Sequence, residues 1–192
     1  MLGKRRKIRL AAIDSTGFES RHVSQYFLQR KEGNAPIFAR FHPKLVAICD
    51  CQSHVLISFL ATRGPKPDNR LLKPTLDRCT TVTIDKLFGD AGYDGERNHR
   101  YARIAKGVRS FVPPIIGRPS KNPPTGRYRR LMQRLFSNRK HIRYGQRWQV
   151  ETVFSMIKRR LATATRARKR WQRTRELALL VLTYNLALRL FV

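Results

Sequence analysis

The first two thirds of the chain contain apolar runs that are rich in β-branched and aromatic residues and bounded by Gly, Pro, Asp or Ser. Runs of this kind are typical of strands. They cover residues 8–14, 38–51, 54–62, 86–90 and 108–112. Because only Gln52 and Ser53 separate the second run from the third, these two strands are expected to form a hairpin.

Elsewhere the apolar residues recur every three or four positions, which is the spacing of one face of a helix. Helices are predicted at residues 68–79, 92–106, 127–138, 144–162 and 176–192. Residues 113–126 hold five prolines and two glycines among basic residues, which predicts an irregular loop. The order of these elements predicts a single α/β domain with a mixed five-stranded sheet flanked by helices.

One side of the predicted helix at residues 144–162 carries polar side chains. Tyr144, Arg147, Glu151 and Lys158 are spaced by three, four and seven residues, so they fall on nearly the same side of a helix. A carboxylate between two cations suits a site that holds both metal ions and phosphates. The alternative is an ordinary Arg147–Glu151 ion pair on a solvated helix, which would stabilise the helix by a few tenths of a kcal/mol.

An adjoining side of the same helix is apolar. Val150, Phe154, Ile157 and Leu161 follow the helical period and are predicted to dock the helix onto the core. The polar row would then face a cleft.

The net charge of the chain indicates which kind of molecule it binds. The chain has 41 Lys and Arg residues against 12 Asp and Glu residues, a net charge of +29. Between Arg97 and Arg175 the only acidic residue is Glu151. So much positive charge disfavours a compact chain unless a polyanion neutralises it, so a nucleic acid is the expected partner.

The apolar stretch at residues 177–192 raises the question of a membrane segment. It is shorter than the roughly 20 residues that a spanning helix needs, and it contains Asn185 and Arg189. A buried terminal helix is therefore predicted, with no membrane partner.

Two of the predicted strands lead to an aspartate, Asp14 and Asp90. Phosphodiester chemistry with two metal ions needs carboxylates at the ends of adjacent strands, and Mg²⁺ prefers carboxylate, water and phosphate oxygens. Either aspartate could instead be a turn or cap residue. Asp94 competes with Asp90, but Asp90 directly follows the apolar run, whereas Asp94 lies where a helix would be capped.

Three segments together carry a family resemblance. Asp14-Ser-Thr-Gly, Gly89-Asp90-Ala-Gly-Tyr93-Asp94 and Tyr144-x2-Arg147-x3-Glu151-x6-Lys158 resemble, in order, the catalytic segments of DDE transposases from bacterial insertion sequences. The third segment resembles the Tyr-Arg-Glu-Lys signature of the insertion sequence 4-like group.

The resemblance implies an RNase H-like fold and metal-dependent DNA strand cleavage and strand transfer. It implies that Asp14, Asp90 and Glu151 bind Mg²⁺, with Mn²⁺ as a substitute. Residues implied to contact DNA are Tyr144, Arg147, Lys158, Arg159 and Arg160. A homodimer that acts on transposon ends and target DNA, in the bacterial cytoplasm and associated with the nucleoid, is the corresponding expectation.

Members of this group normally carry a helical region before the first aspartate, and here Asp14 lies near the start. Residues 1–192 are therefore expected to be one catalytic domain that lacks the amino-terminal region. The alternative function is an inactive DNA-binding remnant of a decayed element. An RNA-binding protein of ribosomal type is a weaker alternative, because it would not need carboxylates at two strand ends.

Two further features of the sequence each allow two interpretations. Cys49 and Cys51 could form a metal pair, although no second pair or histidine cluster accompanies them. The basic stretch at residues 166–175 is predicted to follow DNA phosphates. Trp171 within it is expected to anchor the stretch in the core, with stacking on a base as the alternative.

Overall fold

The structure, a computed structural model, describes residues 6–20, 42–115, 124–137 and 142–190. The start of the predicted strand at residues 38–51 lies outside these ranges. So do residues 116–123 of the predicted loop, the last residue of the helix predicted at residues 127–138 and the last two residues of the helix predicted at residues 176–192.

The main sheet has five strands in the order β4-β3-β1-β5-β6. They are β1 (Arg6–Gly17), β3 (Pro43–Asp50), β4 (Leu56–Arg63), β5 (Val82–Phe88) and β6 (Arg109–Phe111). Strand β3 is antiparallel to β1 and β4, while β5 is parallel to β1 and β6. This mixed sheet confirms the predicted α/β class and has the RNase H-like arrangement that the resemblance implied. A second, parallel pair joins β2 (Glu19–Ser20) to β7 (Ala164–Thr165).

Five α-helices flank the sheet in the described ranges. They are α1 (Leu72–Asp77), α2 (Glu96–Arg100), α3 (Arg127–Ser137), α4 (Trp148–Arg160) and α5 (Arg170–Leu190). Single 3₁₀ turns precede α1, α2 and α4, at Asp68–Arg70, Ala91–Tyr93 and Tyr144–Arg147, and a π-helical turn at Tyr101–Ala105 continues α2.

Several boundaries differ from the prediction for physical reasons. The helix predicted at residues 68–79 is divided because Pro74 lies in the first turn of α1, and its ring would clash with the carbonyl of Arg70 in a continuous helix. Helix α5 begins six residues earlier than predicted, since arginine is a good helix former. Strand β1 continues to Gly17 because β3 still pairs with it there.

The core has a layer on each face of the sheet. Ile13, Val46 and Ile48 pack with α1 and the π-helical turn after α2 on one face. Leu45 and Ala47 pack with α4 and α5 on the other, so β3 is buried on both sides. A third cluster joins α3 to the last two parallel strands through Phe88, Phe111, Met132 and Phe136. Together these layers fix α4 over the centre of the sheet.

The apolar side of α4 is close to the prediction. Val150, Phe154 and Ile157 are buried, and so is Val153. Leu161 follows the last residue of α4 and is exposed, so its predicted place in the core is wrong.

Helix α5 packs by Leu177, Val181 and Tyr184. Leu179, Leu182, Leu186 and Leu190 are exposed, so α5 is less buried than predicted. Among the described helices, none is both long and apolar enough to cross a membrane.

Candidate active site

Asp14 and Asp90 lie side by side, just beyond the last pair of residues that joins two adjacent parallel strands. Ala12 of β1 pairs with Phe88 of β5, and each aspartate follows its strand residue by two positions. Asp14 lies within β1 and not at its end as predicted, and its Oδ1 accepts a hydrogen bond from the Ser15 N–H at 2.8 Å. Asp90 follows β5, and its Oδ1 accepts one from the Gly92 N–H at 2.9 Å. The register of the sheet therefore brings the two aspartates together.

Glu151 joins them from the first turn of α4. The Arg147 Nη2 lies 2.5 Å from Glu151 Oε1, and the Arg147 Nη1 lies 3.8 Å from Asp14 Oδ2. The Arg147 side chain is only 19% exposed. The pair is therefore more than an ordinary i,i+4 contact on a solvated helix, because the same guanidinium also approaches a carboxylate on the sheet.

The electrostatics of the site show that its carboxylates influence one another. Burial raises the pKa of Asp14 to about 6, and the charges of Asp90 and Glu151 contribute to the rise, while the Ser15 N–H and Arg147 oppose it. Burial also raises the pKa of Asp90, with a contribution from the charge of Asp68. Because burial and mutual repulsion destabilise the charged forms of these carboxylates, a cation bound between them would be favourable.

The donor set suits a divalent metal ion. Asp14, Asp90 and Glu151 offer only carboxylate oxygens, which are the ligands that Mg²⁺ and Mn²⁺ prefer. In the described ranges, no three His, Cys, Asp or Glu side chains are grouped closely enough to hold a metal as they stand. The guanidinium of Arg147 lies between Asp14 and Glu151, and it would have to move for the two carboxylates to share a metal.

The sequence prediction missed a fourth carboxylate, Asp68. A methyl group on Gly92 would lie 3.0 Å from Asp90 Oδ1 and 3.5 Å from Asp68 Oδ2, so the two carboxylates face each other across this glycine. Lys44 holds Asp68 through an ion pair of 2.8 Å. In the sequence Asp68 has only the signal of a helix cap, and nothing there indicates that it meets Asp90.

Asp94, the competitor of Asp90, takes part in a different set of contacts. It is buried and accepts hydrogen bonds from the Ile115 N–H and the Arg129 Nε, both at 2.9 Å. Its Oδ1 lies 3.7 Å from Nε2 of the buried His99, whose Nδ1 is bonded to Ser110 Oγ at 2.8 Å. These contacts attach α3 to the core, which gives Asp94 a structural role.

Tyr144 packs more closely against the protein than the predicted DNA contact implied. Its hydroxyl donates to the Gly89 carbonyl at 3.0 Å, and its ring meets Phe136 and Phe88 edge-on with centroids 4.9 and 6.3 Å away. Tyr144 therefore ties the turn before α4 to the chain that leads to Asp90.

The remaining predicted DNA contacts lie at the far end of α4. The Lys158 Nζ is 5.5 Å from the centre of the Phe18 ring, while Arg159 and Arg160 are exposed in the last turn. The structure thus brings Arg147 to the carboxylates and leaves these three cations along the surface beyond them.

The cysteine pair and Trp171 lie away from the carboxylates in roles that the structure defines. Cys49 and Cys51 are buried, and Cys51 donates to the Gln146 carbonyl at 3.4 Å, so they pack beneath the turn before α4. Trp171 is 52% exposed and carries the Arg175 guanidinium 4.7 Å from its ring centre, so its expected burial in the core is wrong.

The sequence also matches the model of a known protein family. The model of the transposase DDE domain family matches residues 5–186. The chain is similar to the piggyBac transposase in a synaptic complex with hairpin DNA, with 10% identity, a TM-score of 0.47, and coverage of 92% of this chain and 45% of that chain. It is similar to the catalytic core of BIV integrase, with 12% identity, a TM-score of 0.34, and coverage of 88% and 95%.

A third similar structure is a simian T-cell lymphotropic virus intasome in complex with the PP2A regulatory subunit B56 gamma, with 12% identity, a TM-score of 0.36, and coverage of 87% and 54%. No curated protein matches the chain. The chain spans less than half the length of the piggyBac transposase chain that it matches. Since the family model matches nearly the whole sequence, this chain belongs to the transposase DDE domain family.

Proposed function

We propose that this chain is the catalytic domain of an insertion-sequence transposase of the Tyr-Arg-Glu-Lys group. It cuts DNA strands at the element's ends and joins the 3′ hydroxyl to a target strand. The observation that carries the proposal is the convergence of Asp14, Asp90 and Glu151 from β1, the end of β5 and α4, with Arg147 between two of them.

Asp14, Asp90 and Glu151 would hold the metal, Mg²⁺ or Mn²⁺. A bound divalent ion supplies activation of the attacking oxygen and stabilisation of the leaving oxygen. The protein contributes a rigid frame, because Asp14 is fixed in the sheet and Glu151 lies in the first turn of the docked helix α4.

Arg147 would then take a second role. With Asp14 and Glu151 acting as metal ligands, its planar guanidinium would be free to bind a DNA phosphate through two parallel hydrogen bonds. Tyr144 would position this arginine from the preceding turn and border the DNA end. Lys158, Arg159 and Arg160 would contact phosphates further along α4.

The partner in this proposal is DNA, both transposon ends and target, on a homodimer in the bacterial cytoplasm and associated with the nucleoid. The net charge of +29 supports a polyanionic partner. Residues 1–192 would form one domain of the larger machinery.

The second candidate function is an inactive DNA-binding remnant. The observation that favours it is the Arg147 guanidinium between Asp14 and Glu151, an arrangement that is self-sufficient without a metal. A remnant would keep the fold and the charge and lose the chemistry.

Nicking of supercoiled plasmid with Mg²⁺ or Mn²⁺ tests the proposal. The intact chain is compared with an Asp90→Asn, Glu151→Gln double variant and with Asp85→Asn, which removes a carboxylate that pairs with Arg109 instead. We expect metal-dependent nicking by the intact chain and by Asp85→Asn, and none by the double variant. Equal DNA binding without nicking by any of the three would favour the remnant.

A further inference from the structure

Four arginines surround a small cavity that has no role in the site described above. The cavity, of about 210 Å³, lies between the start of β3, the end of β4 and the first turns of α5. We call it the arginine pocket, and it is lined by Thr62, Arg63, Arg168, Arg170, Arg173 and Thr174 together with His42, Pro43 and Leu177. Thus positive side chains and two hydroxyls line one concave surface.

Main-chain groups hold Arg173 in the pocket. Its Nε donates to the Ala167 carbonyl and its Nη2 donates to the Arg168 carbonyl, both at 2.9 Å. Burial lowers the pKa of Arg173, and the nearby charge of Arg63 lowers it further. The fold therefore holds two guanidiniums close enough to repel each other.

Glu176, whose charge acts on Arg173, has other hydrogen-bond partners. Glu176 accepts hydrogen bonds from the main-chain N–H groups of Arg166 and Ala167, at 2.8 to 3.1 Å. It thereby shapes the loop that presents Arg168. In the described part of the chain, Arg168 and Arg170 form no salt bridge.

The pocket lies at the end of the sheet that carries Asp14. The Phe18 N–H, just beyond β1, donates to the carbonyl of Pro43 at 2.8 Å, and Pro43 lines the pocket. Asp14 lies four residues before Phe18, roughly 13 Å along an extended chain. Lys158 lies over the Phe18 ring. Cations therefore extend from Arg147 through Lys158 to the pocket.

We propose that the arginine pocket binds a backbone phosphate of the DNA strand that passes the candidate active site. The inference rests on the proposed function for the identity of the strand. Arginine forks match phosphate oxygens with two parallel hydrogen bonds, and the Thr62 hydroxyl adds a donor, whereas the Thr174 hydroxyl donates to the Arg170 carbonyl at 3.2 Å. A phosphate would also relieve the repulsion between Arg63 and Arg173. Since Lys158 leads from the active site to the pocket, a continuous strand fits the site better than a free anion.

The test uses the full chain and compares substitutions that change charge equally. Thr174→Glu puts a carboxylate into the pocket, whereas Gln172→Glu adds the same charge two positions away, on the opposite side of α5. Arg168→Gln with Arg170→Gln removes two pocket charges, whereas Arg97→Gln with Arg100→Gln removes two exposed charges of α2. Circular dichroism checks that each variant folds.

Binding of a labelled DNA oligonucleotide is measured over a range of salt concentrations in EDTA, so that cleavage plays no part. We expect Thr174→Glu to weaken binding about tenfold relative to Gln172→Glu at low salt. The Arg168→Gln, Arg170→Gln variant should have a shallower slope of log K against log salt than the Arg97→Gln, Arg100→Gln variant, by about one unit. Equal effects of pocket and control substitutions would overturn the proposal.

A second arm distinguishes a DNA phosphate from a free one. Inorganic phosphate is added at matched ionic strength, and the thermal melting temperature is followed for Thr174→Glu and Gln172→Glu. If phosphate stabilises Gln172→Glu more than Thr174→Glu while both bind DNA equally, the pocket takes free phosphate, and the assignment to a DNA strand is overturned. Pocket-dependent DNA binding without plasmid nicking would keep this inference and reject the catalytic function.

Discussion

At the scale of single residues, the site is a balance between carboxylates that repel one another and one arginine that links two of them. The charged form of Asp14 is strongly destabilised, because burial raises its pKa to about 6 and the neighbouring carboxylates add to the rise. The Arg147 guanidinium relieves part of that destabilisation from 3.8 Å away. A group that is so disfavoured by its surroundings is typical of a functional position.

The cost at Asp14 predicts a gain in stability when its charge is removed. Between pH 3.8 and about 6 the folded state binds more protons than the unfolded state, so the stability of the intact chain falls as the pH rises through this window. Asp14→Asn should therefore raise the free energy of unfolding above pH 6, by at most roughly 3 kcal/mol, and by much less near pH 4.

Urea unfolding in EDTA between pH 4 and 8 measures this effect. Asp85→Asn is the matched control, because Asp85 forms two short contacts with Arg109 and its removal should not stabilise the chain. A loss of stability in Asp14→Asn that is the same at every pH would contradict the electrostatic account.

Residue roles could be predicted from the sequence only in part. The spacing of Arg147 and Glu151 is local, and the ion pair that the sequence offered as an alternative is present at 2.5 Å. Asp68 could not be found, because its approach to Asp90 depends on how two separate turns meet around Gly92. Tyr144 shares the polar side of the predicted helix, but whether its hydroxyl meets DNA or the Gly89 carbonyl depends on packing that spacing does not record.

At the scale of elements, the turn before α4 fixes where Arg147 and Glu151 lie. Tyr144–Arg147 is a 3₁₀ turn, and the Tyr144 hydroxyl ties it to Gly89, the residue before Asp90. The ring of Tyr144 packs on Phe136 of α3, so α3, α4 and β5 meet at this side chain. The position of Glu151 relative to Asp90 therefore depends on this tyrosine as well as on the buried side of α4.

Tyr144→Phe separates this structural role from a DNA contact. The variant keeps the ring and loses the hydrogen bond to Gly89, which should lower the free energy of unfolding by about 1 kcal/mol. Amide exchange should become faster in Tyr144–Arg147 and at the start of α4, with DNA binding in EDTA unchanged. Weaker DNA binding at unchanged stability would instead assign the hydroxyl to the nucleic acid.

The type of most elements could be predicted, whereas their limits could not. Alternation and β-branched residues identify the five strands of the main sheet, since those signals are local. The short β2–β7 pair was missed because two-residue strands are defined by a partner 145 positions away in the chain. The π-helical turn at Tyr101–Ala105 depends likewise on packing that local spacing does not contain.

At the scale of the whole molecule, the sheet order is what brings distant carboxylates together. β1 lies at the centre, and β5 pairs with it in parallel although β3, β4 and α1 intervene in the chain. Helix α4 then crosses the face of β1 and β3 through Val150, Val153, Phe154 and Ile157. The aspartates at two strand ends favoured such a site in the sequence, but the RNase H-like fold was implied by the family resemblance and not by periodicity.

The excess positive charge acts at this same scale. A compact chain with a net charge of +29 is destabilised by self-repulsion, and a bound polyanion relieves it. The arginine pocket concentrates this repulsion on one surface, at the end of the sheet that carries Asp14. Fold and charge thus support the same partner.

The central claim is that Asp14, Asp90 and Glu151 form a metal site, and the most direct test is Mn²⁺ binding. Binding is measured by the loss of the free-ion signal in electron paramagnetic resonance. The account predicts binding by the intact chain, by Asp85→Asn and by folded Asp94→Asn, and at least a tenfold loss of affinity in Asp14→Asn, Asp90→Asn and Glu151→Gln. Binding that survives all three of these substitutions, or that depends on Asp94 and not on Asp90, would contradict it.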